Sequence, residues 1–445
     1  MIWVQILFII YWVGFLWLAW NKRKQLHNYD DYVVAGRKQS TSMVWFSLLA
    51  TAIGASALLG VTANAEKVGW PVFWWLGVGA IGLALQGWLI TSRVREIEAH
   101  TLPELEEKLI GKTARWLTGV VIGISWIGIV AAQFKALGSV MNIFWPGIDG
   151  RLIIGLVGIA MTLYTMVGGQ LSVMATDRWQ FALIFLAVFL PLFLGIGDGR
   201  SYEVPFVMWN DKFTIKDWFI YLILTGGAYF VGPDMFSRAF CARDGKTARK
   251  AVWFSSVGVA VLALAITWVG IMASRIAPGE GVGILRLVEA KMGIIGQVIV
   301  AFGILSALVS SADTTLLSSG TIWVQDIFGL RSVKAIKIAI GGIGILAILL
   351  ALLNTPLLQM LLNVYSLYVP AVVPATAVAL LALNSKRKPV SGILLAAIGL
   401  GALFGMISFT GIGPWIKPDK LIAVWGTVIA VLVSLLAWIS GKPKS

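Results

Sequence analysis

Apolar stretches of roughly 18–25 residues recur from one end of this chain to the other. Each is long enough to cross a hydrocarbon core of about 30 Å as a helix. The chain therefore reads as an all-α polytopic membrane protein. Composition agrees: 58% of the 445 residues are hydrophobic and 13% are charged, against about 25% charged in a soluble domain. Mean hydropathy is +0.87. No polar block is long enough to be a soluble domain, so 1–445 is taken as a single membrane domain.

Thirteen spans are expected, at 2–20, 42–64, 70–91, 115–144, 152–167, 178–196, 217–235, 251–274, 293–321, 336–353, 357–383, 389–410 and 420–440. The first has no basic start and no small-residue cleavage site, so it reads as a spanning helix rather than a signal peptide. The net charge of +14 resides in short loops, which points away from nucleic acid. Loops after the odd-numbered spans carry 24 Lys and Arg; those on the other side carry 10. Basic residues favour the cytoplasmic face. The expected place is thus the cell (inner) membrane, with the N-terminus outside and the C-terminus in the cytoplasm. Tryptophans such as Trp17, Trp20, Trp70, Trp74, Trp75 and Trp145 fit interfacial anchors. The single cysteine, Cys241, and the two histidines, His27 and His100, fall in loops. They leave no disulfide, no cysteine metal cluster and no histidine relay through the membrane. "EIEAHTLPELEEKL" has the pattern of a short amphipathic helix from Thr101, read as solvated or interfacial and not catalytic.

Two spans have weak centres. "SLLATAIGASALLGVTANAEKVGW" crowds Gly54, Ser56, Ala57 and Gly60 into its middle, and "ILTGGAYFVGPDMFSR" places Gly226-Gly227 and Gly232-Pro233 around Tyr229. Proline removes a backbone donor and clashes with the preceding turn. Freed backbone groups must be buried in protein or line a wet cavity. These spans open two successive sets of five, and interrupted helices at matching positions of inverted halves point to a transporter site at the midplane.

"GILSALVSSADTTLLSSG" (303–320) puts a carboxylate and several hydroxyls inside an apolar segment. Ala307, Ser310, Ser311 and Thr314 share a helix face, with Asp313 beside it. An ionisable group at membrane depth costs at least about 2.5–3.5 kcal/mol on insertion scales, so it turns inward, to a partner or an ion. Hydroxyl and carbonyl oxygens suit small hard cations. Hydrogen bonding between helices is the competing explanation for the serines and threonines.

At these motifs the sequence resembles the sodium:solute symporter family, whose members include sugar, proline, pantothenate and sialic-acid symporters. "YDDYVVAGRKQS" (29–40), the broken helix at 47–69, "GGQLSVMATDRWQ" (168–180), "GPDMFSRAFCARDGKTARKA" and "ALVSSADTTLLSSGTIWVQDIF" (307–328) carry the resemblance, in the family's order. It implies a LeuT-type core of two inverted five-helix repeats, 42–196 and 217–383. One extra N-terminal helix (1–20) and two C-terminal helices (389–440) flank it. It also implies Na+ as coupling ion, held by the carbonyls of Ala50, Ile53 and Ala307 and the hydroxyls of Ser310 and Ser311. Some relatives hold a second cation, and the matching residues here are Asp177, Asp313 and Thr314, with Ser310 again.

The expected function is sodium-coupled symport of a small organic solute into the cytoplasm by alternating access. Position suggests Ala52, Ser56, Ala57, Gln133, Lys135, Tyr229, Asn363 and Tyr365 as solute contacts. By analogy with sialic-acid relatives, Lys135 suggests an anionic solute, a carboxylate or amino acid; pairing with Asp313 or Asp177, or reaching toward the surface, is the alternative for Lys135. Other readings are proton coupling through Asp177 and Asp313, and a transporter-like sensor that needs a partner. No cluster at metal-ligand or acid–base spacing supports an enzyme. The expected partners are the solute and the lipid bilayer, with no nucleic acid and no obligate protein partner.

Overall fold

A computed structural model describes residues 2–54, 56–196, 205–276, 282–412 and 417–443, without the side chains of residues 2, 4, 56, 66, 195 and 196. Nearly all of it is helical. Two two-residue strands, Arg387–Lys388 and Lys442–Pro443, pair antiparallel. Ten helices among the described residues are long and apolar enough to cross a membrane, or eleven with the bent pair Thr41–Ala52 and Ala57–Ala65. Long apolar side chains such as Leu163, Ile345, Leu349, Leu432 and Leu436 face outward. The serines, threonines and Asp313 of the 303–320 stretch face inward.

Segments 152–167 and 178–196 both fall in the run Gly150–Ile196, which counts once among the ten but consists of two helices that meet where the backbone leaves the helix at Gly169 (φ 58°, ψ −167°). A Cβ at Gly169 would come within 2.6 Å of Tyr32 Cδ2 and 2.8 Å of the Tyr32 carbonyl, so only glycine permits both the positive φ and the close approach. The helix Ile2–Arg23 is formed but is not among the ten.

Both expected breaks are present. Thr41–Ala52 ends at Ile53 (φ −95°, ψ 74°), and the chain resumes through a wide π turn, Ser56–Gly60, into Val61–Val68. The second runs through Ile215–Tyr221, a π turn Leu222–Gly226 and Gly227–Phe230. It extends at Val231 and Gly232, then restarts at Pro233 in Pro233–Cys241. Proline suits a first helical turn because its missing N–H had no partner there. The two breaks meet: the Tyr229 hydroxyl donates to the Ala52 carbonyl at 2.8 Å.

Two surface expectations change. Trp75 is buried, edge-on to Tyr221 at 5.2 Å, so it is a packing residue and not an anchor. The short helix Leu102–Leu109 forms with Thr101 as its N-cap, but it is not solvated: Glu104 and Glu106 are buried. Burial alone would raise Glu104. Hydrogen bonds from the His100 ring and backbone N–H, with one from Gln325, outweigh it and hold the carboxyl at about 2. Burial pushes Glu106 up to about 8, only partly offset by Thr376 and Thr118. The fold therefore favours neutral Glu106. Its contribution is complete below the ordinary value of 4.5 and is lost as pH rises through about 8. The melting temperature should fall from pH 5 to pH 9, and Glu106→Gln should remove about 3 °C or more of that fall. Parallel melting curves for the two proteins would refute the assignment.

Candidate functional site

The site begins where Thr41–Ala52 stops. A helix end leaves its last carbonyls without N–H partners. Leu49 O is taken by the Ile53 N–H at 3.2 Å, Thr51 O by Ser311 Oγ at 3.0 Å, and Ala52 O by Tyr229. Among the described residues no partner is recorded for the carbonyls of Ala50 and Ile53, the two the family resemblance implied. Opposite them runs the helix Gly283–Thr321, which buries Ala307, Ser310 and Ser311. Gly54 is the point of approach: a Cβ there would lie 2.9 Å from Ser311 Oγ and 3.1 Å from Gln133 Nε2. All five expected cation contributors thus belong to two adjoining segments. Their donor set is neutral hard oxygen, suited to a small cation such as Na+. Among the described residues no group of three or more His, Cys, Asp or Glu could hold a metal ion.

A second polar cluster adjoins the first. Asp177 Oδ1 accepts from Ser310 Oγ at 2.5 Å, and Oδ2 accepts from Ser47. Arg238 is fully buried. It donates from Nη2 to Asp177 Oδ2 at 3.1 Å and to Thr314 Oγ1, and from Nε to Ser47 Oγ at 3.0 Å. Sequence reasoning counted Arg238 among basic loop residues. The structure buries it beside the residues expected to hold a second cation, so the positive charge there is the chain's own guanidinium. Its only sequence signal was a position one turn beyond Asp234, just past the second break. Asp313 is buried beside Thr314 (3.3 Å), and its Oδ2 has no hydrogen-bond partner among the described residues.

Between the breaks lies a small, partly open cavity of about 50 Å³. Of the expected solute contacts, Ala52, Gln133, Tyr229 and Tyr365 line it. Ser311 lines it too, so one hydroxyl of the expected cation set also belongs to the cavity wall. Ala57 is buried away from that wall, and Asn363 lines a separate recess where Lys420 Nζ donates to its Oδ1. The Ser56 side chain lies outside the described residues. Lys135 does not line the cavity and pairs with neither aspartate. Its Nζ donates to the carbonyls of Leu353 at 2.6 Å and Thr355 at 2.9 Å, at the end of another helix. A flexible stem lets an ammonium leave the apolar interior for such carbonyls. Lys135→Gln should therefore change solute affinity less than twofold; a tenfold loss confined to anionic solutes would return Lys135 to the site. Cavity residues that sequence reasoning missed include Trp126 and Asp234, each inside an expected span but not singled out there.

Comparison with known proteins places this geometry. Residues 32–205 match the Sodium:solute symporter family. That segment is similar to the sodium:solute symporters. The chain is 23% identical over 347 residues to the human high affinity choline transporter 1, covering 71% of this chain and 59% of that protein. It is 23% identical to the osmoregulated proline transporter of Bacillus subtilis, over 98% of this chain and 89% of the other. Its match spans between 29% and 60% of the length of the first curated relatives. A solved structure of a Na+-coupled sialic acid symporter, substrate-bound and outward-open, superposes with a TM-score of 0.81, 18% identity and 99% coverage of both chains. That likeness establishes the LeuT-type fold. The family and these symporter relatives are transporters, not enzymes.

Proposed function

We propose that the chain carries a small organic solute into the cytoplasm together with Na+, by alternating access. The observation that carries this reading is the broken end of Thr41–Ala52, which Ser311 meets at Thr51 O and Gly54 beside a central cavity. Ala50, Ile53 and Ala307 would offer carbonyls to the ion; Ser310 and Ser311 would offer hydroxyls. Because Ser311 also faces the cavity, filling either place alters the other's wall, which is the differential interaction that coupling requires. The broken helices supply the movable parts, with 42–196 and 217–383 as inverted units and the N-terminus outside. Arg238 already neutralises Asp177, so the reading is one sodium per cycle and no second ion at Asp177, Asp313 and Thr314. One charge crossing about 100 mV is worth about 2.3 kcal/mol, enough for roughly 50-fold accumulation of a neutral solute.

The relatives are named for choline, glucose, multivitamin and proline transport, so their names do not select a solute. The expected anionic solute rested on Lys135, whose ammonium is engaged with carbonyls outside the cavity. A second reading, proton coupling, draws support from the unpartnered oxygen of Asp313. Uptake into proteoliposomes, with a sodium gradient at fixed pH and a proton gradient without sodium, separates the two. Accumulation driven by protons alone would remove sodium from the mechanism.

A further inference from the structure

Among the described residues that line the central cavity, Asp234 is the one with a charged side chain. It is half-buried, at the start of Pro233–Cys241, immediately after the second break. Its Oδ1 accepts from Trp126 Nε1 at 2.9 Å. The guanidinium one turn on, Arg238, is engaged with Asp177, Ser47 and Thr314. The basic residue inside a neighbouring span, Lys135, turns to carbonyls elsewhere. The helix N-terminus beneath Asp234 supplies only about half a charge. A carboxylate at membrane depth needs a counter-charge; Arg238 acts on Asp234 only through space, and Ser318 adds a hydrogen bond but no charge.

The remaining walls are aromatic. Trp126, Tyr229 and Tyr365 line the same space, and Tyr368 packs edge-on behind Trp126 at 4.9 Å. The negative faces of such rings attract organic cations, above all when water is excluded. A zwitterion would bring its own carboxylate into a wall whose charge is already negative. An anion would meet the same charge with no compensation, and a neutral polyol would leave Asp234 unbalanced. We infer that the solute of this cavity is a small organic cation, its ammonium group held by Asp234 among Trp126, Tyr229 and Tyr365. This inference rests on the transporter reading above and names its solute class.

Equilibrium binding to the full-length protein in sodium-containing lipid nanodiscs tests it. The probes are choline, its neutral isostere 3,3-dimethylbutan-1-ol, zwitterionic glycine betaine, anionic N-acetylneuraminate, and glucose. Choline should bind at least tenfold more tightly than the isostere and than betaine. Asp234→Asn should cost choline tenfold or more and change the isostere less than twofold. Trp126→Phe, which keeps the carboxylate, should weaken choline while preserving the preference for charge. Equal binding of choline and isostere, or tighter binding of betaine, sugar or anion, overturns the inference. The probe comparison on the unaltered protein decides this even where a variant does not fold. Sodium-induced thermal stabilisation separates the two levels. Stabilisation without cation preference removes only the solute class, whereas no response to sodium removes the transporter reading itself.

Discussion

Replacing Ser310 and Ser311 with alanine is expected to raise the sodium concentration for half-maximal stabilisation or uptake at least tenfold. Both hydroxyls lie on the face that meets the end of Thr41–Ala52. A hydrogen bond or ligand contact to a charged group is worth about 1.5–3 kcal/mol, which is roughly 10- to 150-fold in affinity. Ser311→Ala removes a proposed ligand and the bond to Thr51 O. Ser310→Ala removes a proposed ligand and one of the groups solvating Asp177, so the double variant should exceed either single one. The measurement is a sodium titration of melting temperature at constant ionic strength, with potassium as control. An unchanged midpoint in the double variant would show that the ion, if any, binds elsewhere.

Arg238→Met should be among the most destabilising single substitutions in this chain. Arg238 and Asp177 are both completely buried and bonded to each other at 3.1 Å. Removing one partner strands a charge in a low-dielectric interior, which costs about 3–5 kcal/mol. Asp177→Asn should cost a similar amount by stranding the guanidinium. The pair Arg238→Met with Asp177→Leu should recover much of the loss, because two apolar groups of similar volume leave neither charge unpaired. Thermal unfolding in a single detergent reports all three. If Arg238→Met melted with the parent protein, the buried pair would not be part of the folded core, and the single-sodium reading would lose its basis.

Much of the architecture was legible in the amino-acid order. Composition and segment length announced a helical membrane protein, and both helix breaks fell where glycine and proline crowd the spans. One side of the proposed cation cluster was legible, because Ala307, Ser310 and Ser311 repeat at helical spacing. Ala50 and Ile53 came from family resemblance, and the physical reason for them lies in the neighbouring carbonyls, which already have partners. The sharp corner at Gly169 was less legible: only its positive φ and the close approach of Tyr32 show why two expected spans meet there without a loop. Lys135 was visible as a charge inside a span, but not the carbonyls it would reach.

What the sequence determined alone is what each segment must satisfy alone. A helix in lipid closes its own backbone hydrogen bonds within a few residues, so its existence, length and weak points are local properties. Which polar side chains meet is not local. Ser310 and Asp177 are 133 positions apart, Ser47 and Asp177 are 130, and Arg238 and Asp177 are 61. An arginine that reads as a loop charge and an aspartate that reads as a helix start acquire their roles only when packing removes water from around them. Tertiary structure therefore decided where the charges lie, which of them are already neutralised, and which one still faces an open cavity.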